Sequence, residues 1–161
     1  MKKLILALGF ILVLSLTACS RDEEPPEHAN DVFTRVRAQL KIDIEVEEAT
    51  YACTFIGSGE EAGTMCIYAI KLMIPEFSSV LTDYVYIEAT LFIPDEGDAF
   101  FYADKDLTRS DYQHLERTLK SDNYQRQVLD SLAENPFAQD YTFIAKTLTE
   151  YQIGVAMEGV N

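Results

Sequence analysis

The chain has 161 residues, 48% of them hydrophobic and 25% charged, which is long enough for one domain with a sizeable core. Its 13 basic and 27 acidic residues give a net charge of −14. Because so acidic a surface repels phosphates and anionic headgroups, this balance argues against nucleic-acid binding and against membrane attachment through a basic patch.

The first predicted element is a short apolar segment behind a positively charged start. Lys2 and Lys3 precede an uncharged run from Leu4 to Leu16. As a helix this run would be only about 20 Å long, whereas the core of a bilayer needs about 30 Å. The pattern therefore predicts a secretory signal peptide over residues 1–18, and neither a membrane span nor a core helix.

The next segment, Leu16-Thr17-Ala18-Cys19, resembles the lipobox of bacterial lipoproteins, in which an aliphatic residue and two small ones precede a cysteine. The resemblance covers residues 1–20 only. It implies cleavage before Cys19, diacylglycerol on the Cys19 sulfur and often an N-acyl chain such as palmitate. Ser20 follows where an aspartate commonly retains Gram-negative lipoproteins at the inner membrane, so the resemblance implies the outer membrane, facing the periplasm. A secreted protein cleaved nearby is the alternative.

Cleavage before Cys19 would leave 143 residues with 11 basic and 27 acidic side chains, a net charge of −16. We expect residues 19–29 to comprise the lipidated cysteine and an acidic, extended tether, because "SRDEEPPEHA" is polar and contains two prolines. His28 would lie in this tether, which is a poor place for catalysis. A single globular domain is expected over residues 30–161.

A helix followed by strands is predicted at the start of this domain. Asn30 suits a helix cap. The apolar positions after it recur at helical spacing: Phe33, Val36 and Leu40. Apolar residues then alternate over residues 42–46 and, on the opposite parity, over residues 51–55, which predicts strands with a bulge near Glu48. One long helix through this region is the alternative.

Two further cysteines, Cys53 and Cys66, stand symmetrically about the glycine-containing segment "TFIGSGEEAGTM", as facing partners in a β-hairpin would. In an exported protein such an even pair predicts a disulfide. Two buried thiols or a metal site are the alternatives. A metal site is disfavoured because neither His28 nor His114 stands at ligand spacing from a cysteine.

The middle of the chain is rich in residues that favour strands. Residues 65–74 and 84–93 are each followed by a proline, and residues 100–103 come after a turn that contains Gly97. The last two segments therefore predict a hairpin. The connection over residues 76–83 is consistent with a short helix or a turn.

Three helices are predicted in the C-terminal third. Thr108 with Asp111 resembles a capping box, and Asp122 with Gln125 predicts that Asp122 caps a second helix. A third helix is predicted from apolar residues three and four apart: Phe137, Tyr141, Ile144, Leu148 and Tyr151. The expected fold class is α+β, with a small antiparallel sheet over about residues 42–103 packed by C-terminal helices. An all-α fold is the alternative.

The sequence lacks the common catalytic motifs: the nucleophile elbow, the zinc-protease helix, the Walker loop and the dinucleotide fingerprint. The acidic residues between Asp95 and Asp111 do not fit the EF-hand pattern, so no metal or other cofactor is expected. Tyr84 and Tyr86 would share one face of a strand, where they could form a contact patch.

These observations favour a lipid-anchored cell-envelope protein that acts as a non-enzymatic binding or assembly module with an envelope protein partner. Its membrane contact would be the lipid on Cys19, and no nucleic acid is expected as a partner. The alternative is a small envelope hydrolase or ligand-binding protein with a carboxylate-lined cleft. In that case Glu88 or His114 should line a pocket.

Overall fold

Five strands and three helices make up the part of the chain that the structure, a computed structural model, describes: residues 27–41, 45–73, 84–148 and 152–153. In chain order the elements are α1 (Glu27–Leu40), β1 (Glu45–Ser58), β2 (Gly63–Met73), β3 (Tyr84–Pro94), β4 (Phe100–Leu107), α2 (Arg109–Leu119), α3 (Asp122–Glu134) and β5 (Gln139–Leu148). The predicted signal peptide, Cys19 and the connection over residues 76–83 lie outside the described residues. None of the described helices is long and apolar enough to cross a membrane.

The fold is α+β, as the sequence predicts, and the all-α alternative is wrong. One antiparallel sheet has the strand order β4-β3-β2-β1-β5. The first four strands are consecutive neighbours, whereas β5 returns after α2 and α3 to pair with β1. The sheet therefore extends beyond the expected range of residues 42–103, and β4 and β5 are its two edges.

The hairpin of β1 and β2 has the register that the cysteines predict. Cys53 lies directly opposite Cys66, with their Cα atoms 4.1 Å apart. The register shifts between Val46 and Glu48, which is the bulge predicted from the change of parity along β1. In the hairpin of β3 and β4, the turn residue Gly97 has a φ of 110°, a conformation that glycine adopts without a steric penalty.

Helices cover both faces of the sheet. On one face α1 packs against alternate residues of the strands, and this is the main core: Ala29, Val32, Phe33, Val36, Ala49, Tyr51, Cys53, Cys66, Tyr68, Ile70, Leu72, Ile87, Ala89, Leu91, Leu148 and Ile153. On the other face α2 and α3 complete a smaller core: Ala52, Ala69, Tyr112 and Leu119. The helix α3 has no fully buried side chain, so the second face is packed less completely than the first.

Both C-terminal helices begin with a side-chain cap. Thr108 caps α2, and its hydroxyl accepts the backbone N–H of Asp111 at 3.2 Å, as predicted. The helix α3 is capped by Ser121, whose hydroxyl accepts the N–H of Tyr124 at 3.1 Å. The prediction that Asp122 is the capping residue of α3 is therefore wrong by one position.

The predicted third C-terminal helix is also wrong, because residues 139–148 form β5. Phe143 and Ala145 pack towards α2 and α3, while Leu148 packs in the main core on the opposite face. Pairing with β1 satisfies the backbone of this segment through a ladder that runs from Ala49 opposite Leu148 to Ser58 opposite Gln139, residues far apart in the chain. Spacing along the chain does not reveal such a partner.

The helix α1 begins at Glu27, three residues before the expected start of the domain at Asn30. The end of the predicted tether is thus part of the fold, and His28 is buried within it. The helical pattern of Phe33 and Val36 extends backwards to Ala29, which is fully buried, so the same apolar face continues for one more turn.

Candidate functional site

His28, in the first turn of α1, lies directly against the disulfide of the sheet. The disulfide joins Cys53 and Cys66 across β1 and β2, as predicted. The Nε2 atom of His28 is 3.0 Å from each of the two Sγ atoms. Cys53 is 0% exposed, Cys66 1% and His28 9%. We call these three side chains the His–Cys–Cys cluster, and each of its members is buried.

The absence of ligand spacing between a histidine and a cysteine disfavours a metal site in the sequence, yet the fold places His28 against both cysteines. His28 stands 25 residues before Cys53 and 38 residues before Cys66, and α1 brings it there by folding onto the sheet. The spacing rules for metal ligands describe short loops, so they do not detect this approach. His114, in contrast, is exposed on α2.

Aromatic rings surround the His–Cys–Cys cluster. The ring centroids of Tyr51, Phe55 and Tyr68 lie 6.2, 6.4 and 6.1 Å from that of His28. Burial raises the pKa of the Tyr68 phenol, which the neighbouring Tyr51 raises further, and burial also raises the pKa of Tyr51. The Tyr68 hydroxyl is buried and has no hydrogen-bond partner among the described residues. These phenols therefore stay neutral, and the cluster has an apolar aromatic surrounding.

A second feature is a row of apolar side chains on the opposite face of the sheet, at the end where β1 and β2 are joined. Cross-strand pairing places Met65 beside Phe92, and Phe92 beside Phe100. Tyr102 follows on the same face of β4, two residues beyond Phe100. We call these four residues the apolar patch. Three of them are exposed: Met65 to 39%, Phe100 to 59% and Tyr102 to 55%.

Two recesses adjoin the apolar patch, and Phe92 borders both. The first, of about 530 Å³, lies between the sheet and α3, and its wall is mainly apolar: Thr54, Ile56, Glu61, Met65, Phe92, Gln127, Val128, Ser131 and Leu132. The second, of about 520 Å³, lies at the hairpin turns and carries four carboxylates: Glu60, Glu61, Asp95 and Glu96. The apolar patch is thus flanked by an apolar cavity and by a group of acids.

The predicted contact patch of Tyr84 and Tyr86 lies at the other end of β3, and both rings are partly covered. The Nζ atom of Lys71 is 3.9 Å from the centroid of the Tyr84 ring. The Tyr86 ring centroid lies 4.9 Å from that of Tyr112 on α2. These contacts use the two tyrosines within the fold, and the more exposed apolar surface is the one around Phe100.

The alternative hypothesis of a carboxylate-lined cleft predicts that Glu88 or His114 lines a pocket. Glu88 is half-buried on β3, opposite Asp104 of β4. Neither Glu88 nor His114 lines either of the two recesses. Neither of these two recesses is therefore the cleft lined by Glu88 or His114 that the alternative hypothesis predicts.

No protein-family model matches the chain, and no curated protein or solved structure matches it. Two local arrangements of side chains bear on function. The apolar patch offers an exposed surface for another molecule, and the His–Cys–Cys cluster offers one imidazole nitrogen and two sulfurs at a single buried point.

Proposed function

We propose that this protein is a lipid-anchored binding module of the bacterial cell envelope. In this proposal the apolar patch docks a segment of an envelope protein that carries apolar side chains beside lysine or arginine. The observation that carries the proposal is the exposure of Phe100 and Tyr102, which lie side by side on the edge strand β4. Adjoining exposed aromatic side chains on a folded domain are typical of an interaction site.

The charges around the patch support the basic character of the partner. Glu60, Glu61, Asp95 and Glu96 are exposed and lie in the recess that Phe92 shares with the patch. A partner that placed an apolar side chain on the patch would bring its neighbouring residues close to these carboxylates. Complementary charge would favour lysine or arginine there and would speed association, in keeping with the acidic composition of the whole chain.

Attachment to the membrane rests on Cys19 and its lipobox resemblance. Each buried methylene of an acyl chain contributes about 0.8 kcal/mol, so one chain anchors weakly and two or three chains anchor almost permanently. The acidic domain would be held near an outer-membrane surface through the lipid, with its apolar patch available to partners in the periplasm.

Site-specific photo-crosslinking in living cells tests the docking surface. We expect a photoreactive side chain at Tyr102 to crosslink one defined partner, and the added substitution Phe100→Ser to reduce the yield roughly tenfold or more, because aromatic anchors dominate interface energies. The matched control is the same photoreactive residue at Ile144, which is 41% exposed on the edge strand β5. Equal adducts from both positions, or none from Tyr102, would contradict the proposed surface.

Metabolic labelling with an alkyne analogue of palmitate tests the anchor separately. We expect the wild-type chain to incorporate the label and Cys19→Ala to abolish incorporation, because the lipobox cysteine is the proposed acceptor. The double variant Cys53→Ala, Cys66→Ala is the control and should label as the wild type does, since its missing sulfurs are buried. Label retained in Cys19→Ala would show that the lipid is attached elsewhere or that no lipobox operates.

A further inference from the structure

The His–Cys–Cys cluster has the composition of a metal site as well as that of a disulfide with a histidine neighbour. Nε2 of His28 approaches both sulfurs at 3.0 Å, so that one nitrogen and two sulfur donors meet at a single point. Imidazole nitrogen and thiolate sulfur are the preferred ligands of zinc. We propose that reduction of the Cys53–Cys66 disulfide converts this cluster into a zinc site, and that the protein therefore exists in a disulfide form and in a zinc form.

The conversion balances in two steps. An external protein dithiol first reduces the disulfide: the S–S bond breaks, the dithiol supplies two electrons and two protons, and it becomes a disulfide itself. Zinc then binds Cys53 and Cys66 as thiolates and His28 through Nε2, with the release of the two thiol protons. The direct cross-strand register keeps the two sulfurs close together after reduction, because it is set by the backbone ladder and not by the S–S bond alone.

The charge of the product favours zinc over a monovalent soft cation. Two thiolates and a neutral imidazole carry a charge of −2, which Zn²⁺ cancels and Cu⁺ would leave half compensated. The cysteines are 0% and 1% exposed and lie among the rings of Tyr51, Phe55 and Tyr68. An apolar surrounding penalises an uncompensated charge, so the neutral zinc complex is the stable one.

The distances are compatible with this assignment. In tetrahedral geometry, a zinc ion about 2.0 Å from nitrogen and about 2.3 Å from each sulfur holds the nitrogen about 3.5 Å from each sulfur and the two sulfurs about 3.8 Å apart. The 3.0 Å separations between Nε2 and the sulfurs would thus widen by about 0.5 Å, and the two sulfurs would move apart from bonding distance to about 3.8 Å, which rotation of the two cysteine side chains can provide. The described residues add no further histidine, cysteine or carboxylate to the cluster.

Zinc titration of the full-length protein, reduced with a phosphine in denaturant and then refolded in detergent under argon, tests the proposal. We expect one equivalent of zinc to be withdrawn from a chromogenic chelator by the reduced protein and none by the oxidised protein. His28→Gln should weaken zinc binding by more than about 100-fold, because even residues that only orient zinc ligands are worth 10- to 100-fold. His114→Gln is the matched control, since His114 is exposed on α2, and it should bind zinc as the wild type does.

If reduction loosens the fold, the melting temperature with and without zinc still tests the proposed zinc site. We expect zinc to raise the melting temperature of the reduced protein and to leave that of the oxidised protein unchanged, because only the reduced state offers the site. The inference would be overturned by equal zinc affinity of wild type and His28→Gln, by tight Cu⁺ binding without zinc binding, or by a reduced chain that zinc neither binds nor stabilises. These readouts do not depend on Cys19 or on the apolar patch.

Discussion

Removal of the Cys53–Cys66 disulfide is expected to lower the free energy of unfolding by roughly 3 kcal/mol. The bond closes a loop with a sequence separation of 13 residues, and it restricts the unfolded chain far more than the folded one. In the folded state the same two residues are already held opposite each other by the ladder of β1 and β2. The loss should therefore leave the secondary structure intact while the unfolding transition moves to lower urea concentration, by about 1 to 2 M.

Urea unfolding followed by circular dichroism, with and without a reductant, measures this change. Since both sulfurs are buried, the wild-type chain should first be reduced in denaturant and then refolded under reducing conditions. The double variant Cys53→Ala, Cys66→Ala provides the control, because its midpoint should not respond to the reductant at all. A wild-type midpoint that stayed the same after verified reduction would mean that the disulfide contributes little to stability.

The hairpin that holds this disulfide is the part of the fold that the sequence predicted best. Cys53 and Cys66 are equally spaced about a glycine-containing turn, so an antiparallel hairpin places them opposite each other. The alternation of apolar residues determines which face of the sheet the two cysteines occupy. The bulge near Glu48 also follows from the sequence, since a change of parity with no change of buried face requires one extra residue. Both inferences are local, and local patterns are what a sequence displays directly.

The strand β5 is the element for which the local sequence pattern is misleading. Tyr141, Ile144 and Leu148 recur at intervals of three and four, which matches a helix, yet Phe143 and Ala145 also alternate as a strand requires. Only the pairing with β1 decides between the two patterns, and β1 and β5 are neighbours in the sheet although they are far apart in the sequence. Tertiary contacts of this kind override a short periodic pattern.

The candidate sites differ in the same way: a local sequence pattern predicts one part of them, and tertiary contacts determine the rest. The sequence predicts the disulfide but not the approach of His28, because the acidic, proline-containing segment predicts an extended tether as far as Ala29. The buried Ala29 was the available signal, since it continues the apolar face of α1 by one turn. The apolar patch was missed because Met65, Phe92 and Phe100 come from three strands, and their adjacency exists only in the assembled sheet.

Substitution Phe33→Ala is expected to destabilise the protein by about 3 to 5 kcal/mol, the usual cost of removing a buried phenylalanine from a core. Phe33 is 0% exposed on α1, and its ring meets Tyr68 edge to face with centroids 6.1 Å apart. The control Phe100→Ala removes an equal side chain that is 59% exposed, and it should cost under about 1 kcal/mol. Urea unfolding of the two variants under oxidising conditions measures the difference, since the disulfide remains intact in both.

The same substitution should also change access to the His–Cys–Cys cluster. Because α1 carries His28 and covers the disulfide, loss of the Phe33 contact favours local detachment of this helix from a sheet that stays paired. If about 3 kcal/mol of the loss falls on this local opening, the rate at which a small dithiol reduces the native protein should rise roughly 100-fold. Alkylation of the released thiols followed by mass spectrometry gives that rate. A reduction rate that remained at the wild-type value in Phe33→Ala, together with the expected loss of global stability, would show that α1 does not control entry to the cluster.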